Sequence, residues 1–181
     1  MPRRETGRAY LRKCWHSAAV KTPKVKPINP HFISKKVLTL SSQLVIPRSM
    51  TSISGLAAEQ KKAEILEITQ KVRKYLKIPK SVKIHVVLGI LTDCGQITQF
   101  SPNSYEIWID KTLSLEMTRE TIGHECQHIC QFLDKRLEIK DNLLYFEGVN
   151  MTSVPYSKRP FEAEAKRIGR EIRNNLLFSK K

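Results

Sequence analysis

One segment limits the folds open to this chain more than any other. In TLSLEMTRETIGHECQHICQFLDKR, residues 112–136, the side chains Leu115, Ile122, Cys126, Ile129 and Leu133 recur at helical spacing and make one apolar stripe. A helix with such a stripe must lie against other structure. At about 100° per residue, His124 and His128 fall on the opposite side, near Met117, Gln127 and Gln131. The two histidines project side by side, one turn apart, as two nitrogen ligands to one metal must. Glu125 flanks the same turn, within reach of a water on such a metal. Two histidines on a solvated helix face are the commoner meaning of this spacing. The placement opposite the core stripe, just after a predicted hairpin, favours the metal.

The rest of the chain supplies the context. Ser54 is placed to cap a helix over residues 55–77, on which Ile65, Ile68, Val72 and Leu76 share a face before Pro79 stops it. SVKIHVVLG, rich in β-branched residues, reads as a strand. QITQF and YEIWID flank the turn signal SPNS and read as a hairpin. A last helix is expected from Arg159 or Pro160 to Leu177. The order helix, strand, hairpin, helix, loop, helix predicts an α+β domain with a small mixed or antiparallel sheet.

Charge divides the chain of 181 residues in two. Residues 1–54 carry 11 Lys and Arg against one acid, Glu5, a net of +10; residues 55–181 carry +5. No acid occurs between Thr6 and Ala58. We therefore read 1–54 as a basic, proline-containing arm (KTPKVKPINP) and 55–181 as the folded domain. Val37 to Ile46 is apolar enough to dock on the domain or pair as an edge strand. Such an arm meets nucleic acid or another polyanion by counterion release. A solvated tail and an Arg-rich organellar transit segment remain alternatives. No run is long enough to cross a bilayer, so no membrane partner is expected. Four cysteines, Cys14, Cys94, Cys126 and Cys130, are too few for a disulfide framework at this length. They predict free thiols in a reducing compartment, cytoplasmic or, for a viral chain, host cytoplasm or virion. Cys126 and Cys130 lie toward the core side of the histidine helix, as buried free thiols do.

Zinc at a hydrolytic site takes three protein ligands and keeps a position for water. No histidine follows His128, so the third ligand must be a carboxylate or a cysteine. RPFEAEAKRIG offers Glu162 and Glu164, on opposite flanks of an apolar face made by Phe161, Ala165, Ile168 and Ile172. Either glutamate could equally be a first-turn acid facing the helix dipole. Ala165 and Gly169, beside Glu162, are small enough for close helix approach.

ETIGHECQHICQF followed by PYSKRPFEAEAKRIG resembles the gluzincin pattern, and looks most like the minimal gluzincins encoded by phages and other mobile elements. The likeness covers residues 55–177 and implies a zincin-like domain with a small sheet, an active-site helix and a Glu-bearing helix. It implies a zinc-dependent endopeptidase acting on peptide or protein. Zn2+ would be held by His124, His128 and Glu162, with Glu125 as general base and Glu164 in reserve. Tyr156 is the candidate for oxyanion stabilisation, or else a packing tyrosine in a proline-flanked loop. YEIWID resembles the strand that lines the cleft and pairs with extended substrate in such enzymes. Lys166 departs from the pattern, standing where many relatives carry an aspartate that steadies a ligand histidine. The competing expectation is a nucleic-acid-associated or virion structural protein on the same scaffold, without significant peptidase activity.

Overall fold

The computed structural model describes residues 10, 11, 50–55 and 57–175. The expectations for Val37 to Ile46, for Cys14, for the polyanion-binding or transit role of the arm and for residues 176–177 lie outside the described residues. The elements in chain order are β1 (Tyr10–Leu11), β2 (Thr51–Gly55), α1 (Glu59–Tyr75), β3 (Lys83–Gly89), β4 (Gly95–Ser101), β5 (Ser104–Asp110), α2 (Leu115–Leu133), β6 (Leu137–Lys140), β7 (Leu143–Phe146), β8 (Val149–Asn150), a 3-10 turn (Tyr156–Lys158) and α3 (Pro160–Asn174). The architecture is α+β.

The main sheet has the order β1-β4-β5-β3-β2. It is mixed: β3 runs parallel to β2 and β5, while β4 is antiparallel to β5 and β1. Alternation in β3 and β5 sends Ile84, Val86, Leu88, Tyr105, Ile107 and Ile109 to one buried face. That face shares a core with Ile65, Ile68 and Val72 of α1 and with Ile122, Cys126 and Ile129 of α2. Two glycines set the distance between α2 and α3. A Cβ on Gly123 would come within 2.8 Å of Ile172 Cδ1, and one on Gly169 within 2.6 Å of the Glu120 carbonyl oxygen. Among the described residues, no helix is long and apolar enough to cross a membrane.

Three expectations are corrected. Ser54 does not cap a helix: it lies in β2, with its hydroxyl 2.9 Å from His85 Nε2. Helix α1 starts at Glu59 behind Ala58, which makes no side-chain cap. Ser52 and Ser54 both reach His85 across the parallel pair, so strand pairing claimed the serines. The boundary drawn between 54 and 55 accordingly falls inside a strand of the main sheet. The loop expected between the last two helices is a second sheet, β6-β7-β8, whose Leu137, Leu144 and Phe146 join the core. Finally, YEIWID does not line the cleft: β5 is interior, paired with β3 on one side and β4 on the other. Its backbone groups are already used, and the strand that walls the cavity with the histidines is β4.

Candidate metal centre

Helix α2 begins at Ser114, whose hydroxyl accepts a hydrogen bond from the Met117 amide at 3.2 Å. Nearly three turns later the histidines emerge on the side that faces α3. His124 and His128 are each 3% exposed, with their Nε2 atoms 3.0 Å apart. One proton between two nitrogens at this spacing is a hydrogen bond, and a metal ion is the other occupant that such a pair accepts. His124, Glu125 and His128 bring ligand atoms within 4.8 Å of one another.

The third helix completes the group. Pro160 opens α3, and Glu162 sits in its first turn, 4% exposed. Its Oε2 lies 3.3 Å from His124 Nε2 and 3.6 Å from His128 Nε2. That oxygen is buried without a hydrogen bond of normal geometry, which costs free energy unless a cation satisfies it. Glu164, one flank away, is committed elsewhere: it accepts from Gln127 Nε2 at 3.0 Å, Gln131 Nε2 at 3.1 Å and Arg136 Nη1 at 3.0 Å. The two glutamates of the EAE run thus have opposite surroundings. The donor set around Glu162, two imidazoles and a carboxylate, fits a divalent metal of borderline softness.

Electrostatics separate the four groups. Burial holds His124 down at about 4, so it is neutral over the physiological range. Burial also opposes charge on His128, but contact with Glu162 outweighs it and raises the pKa. For Glu162 burial acts upward, yet the two histidines prevail and hold it near 2. Glu125 is lifted by burial to about 7, near neutrality, where a general base is most effective.

A residue that sequence reasoning passed over fixes one ligand. Gln131, fully buried, places Oε1 2.8 Å from His128 Nδ1. Its amide donates to the Phe161 carbonyl at 3.0 Å and to Glu164 Oε2 at 3.1 Å, so the oxygen must be the end that meets the ring. His128 therefore carries its proton on Nδ1 and aims Nε2 at His124 and Glu162. Its position three residues after a ligand-spaced histidine was the available signal. Lys166, the departure from the gluzincin pattern, places its ammonium 4.5 Å from the centre of the Tyr156 ring.

Gly95, Gln96 and Ile97 of β4 wall a cavity with His124, Glu125, His128, Tyr156 and Glu162. Gly95 is required there: a Cβ would meet Thr121 Cγ2 at 2.5 Å and Glu125 Oε1 at 3.3 Å. Tyr156 does reach the cavity, and burial together with Glu162 pushes its hydroxyl up, so it remains a protonated donor. The thiols stand apart. Cys94, Cys126 and Cys130 are free, and burial lifts Cys130 to about 11 and Cys126 higher still. No known protein family, curated protein or solved structure matches this chain.

Proposed function

We propose that this chain is a zinc-dependent endopeptidase with a zincin-like domain. The observation that carries the reading is the convergence of His124, His128 and Glu162 on one point, with Glu125 buried in the same cavity. A purely structural site has no use for a carboxylate poised near neutrality beside it. His124, His128 and Glu162 would hold the ion, which supplies Lewis-acid polarisation and a water of lowered pKa. Glu125 would act as the general base, accepting a proton from the attacking water. The same proton then passes to the departing amine nitrogen as the C–N bond breaks. The Tyr156 hydroxyl, held protonated, donates to the oxygen that gains charge. The order of sheet, histidine helix and glutamate helix supports the zincin-like assignment.

Glu125→Gln tests the reading. The amide is nearly isosteric but cannot take the proton. Cleavage of a peptide library or an unfolded protein should fall by about 10²–10⁴, with zinc content unchanged. A variant as active as the wild type removes Glu125 from the chemistry. The net charge of +10 on residues 1–54 favours a second reading, a nucleic-acid-associated or virion structural protein. A zinc-loaded wild type inert toward every peptide would move the weight there.

A further inference from the structure

Beside the metal centre, the outer edge of β4 already has an occupant. The backbone of Tyr10–Leu11 pairs with it antiparallel, Tyr10 opposite Thr98 and Leu11 opposite Ile97. Ile97 is both the register partner of Leu11 and a wall of the cavity that contains the histidines. In this register β1 runs from Thr98 toward Ile97, hence toward the Gly95 end of β4. At that end a Cβ on Gly95 would lie 3.3 Å from Glu125 Oε1. The other long side of β4 is consumed by β5.

A strand edge presents a row of amide and carbonyl groups that any extended polypeptide can satisfy, independent of its side chains. A segment bound there lies along the cavity wall, which is where a peptide bond must lie to be attacked. Only one segment can use those groups at a time. We propose that the chain's own Tyr10–Leu11 segment is a built-in competitor for the β4 edge, which must leave before any other extended polypeptide can pair there. Occupancy of the edge stands on the strand pairing alone; its consequence for substrate rests on the peptidase reading above.

A tethered segment competes at an effective concentration on the order of 1 mM, while a two-residue pairing is short enough to be displaced. If the free segment binds an open edge at about 0.1 mM, the tether weakens an added peptide by roughly tenfold. The test uses the full chain with Tyr10→Pro and Leu11→Pro, since proline removes the amide donors that pairing needs. The probe is a fluorescent synthetic peptide with the sequence of residues 6–15, TGRAYLRKCW. It should bind the variant about tenfold more tightly than the wild type. Of the amides at positions 97 and 98, the one that faces β1 rather than β5 should exchange faster in the variant and regain protection when the peptide is added, with zinc content equal in both proteins. That recovery separates a docking segment from a strand that merely stabilises the sheet. Equal peptide affinity, or lost protection that the peptide does not restore, overturns the proposal. Casein separates the two readings. If neither protein cuts casein but the peptide competition is seen, edge occupancy stands and the peptidase reading falls. Equal cleavage together with equal peptide affinity removes the docking role and leaves the peptidase reading.

Discussion

The two sides of α2 are buried to nearly the same extent and have opposite chemistry. Toward the sheet it presents Ile122, Cys126 and Ile129, all fully buried and apolar. Toward α3 it presents Glu120, His124, Gln127, His128 and Gln131, none more than 8% exposed. The first side stabilises by removing area from water and needs no partner of particular geometry. The second is tolerable only because nearly every polar atom finds one. Glu120 meets Arg173 at 2.6 Å, Gln127 and Gln131 meet Glu164, and His128 meets Gln131. What remains underused on that side is the point where His124, His128 and Glu162 face one another. An amphipathic helix with two dry faces is a fold on one side and a site on the other.

The contrast is broken most forcefully by cutting each side separately. Ile122→Ala should cost about 2–5 kcal/mol of stability, read by denaturant unfolding, while the protein still binds about one zinc. The double variant His124→Ala, His128→Ala should retain its helical circular dichroism and bind no stoichiometric zinc. Metal that persists in the double variant would end the assignment of this site. Within the polar side, Glu162 and Glu164 sharpen the comparison further. Glu162→Ala should weaken zinc more than 100-fold in chelator competition, beyond what loss of an outer partner does. Glu164→Ala should act less, through Gln131 and Arg136; the reverse order would give Glu164 the ligand role.

Gln131 lies on the margin between ligand and scaffold. Gln131→Leu removes the acceptor that orients His128 and should lower zinc affinity about 10–100-fold. Gln131→Glu keeps an acceptor at that position and should recover most of the loss. If both variants bind zinc like the wild type, His128 needs no such partner.

How much of this was legible in the sequence depended on whether the signal was local. Helix α2, the β4–β5 hairpin and the placement of Glu162 beside small residues followed from periodicity, turn chemistry and spacing. Strand β2 was missed because Ser54 and Gly55 look like a helix start. Their actual roles depend on His85 and Leu88, about thirty residues away, with Gly55 at φ 104° and no room for a Cβ against Leu88. The second sheet was legible and was overlooked. Asp141–Asn142 and Glu147–Gly148 all have positive φ, and each pair is a two-residue hairpin turn between short apolar runs. Assigning YEIWID to the cleft failed for a topological reason, since which strand is interior is a pairing decision that no single segment encodes. The proton-bearing nitrogen of His128 was beyond sequence altogether, because it follows from what the far end of Gln131 meets.

The smallest expected effect distinguishes the two sides by their protons. Titration of the apolar side is irrelevant near neutrality, because the Cys126 thiol is pushed well above its usual range. On the polar side, Glu162 is already ionised, held near 2, and His124 is neutral, held near 4. His128 is the group whose pKa is raised, with Glu162 beside it. Zinc needs a neutral imidazole with Nε2 free, so binding must expel any proton on His128 Nε2 while the Nδ1 proton stays with Gln131. The sign follows: below the raised pKa, proton and metal compete, and affinity falls as pH falls; above it, the ring is already free. One competing proton gives at most a tenfold change in affinity per pH unit. Calorimetry at one pH in buffers of different ionisation enthalpy should therefore register release of up to about one proton per zinc on the acid side. That number should shrink toward zero as pH rises. Release of a second proton would point to Glu125, which burial lifts to about 7 and which a cation in the same cavity would ionise. A release independent of pH would mean that the proton comes from a water on the metal rather than from His128.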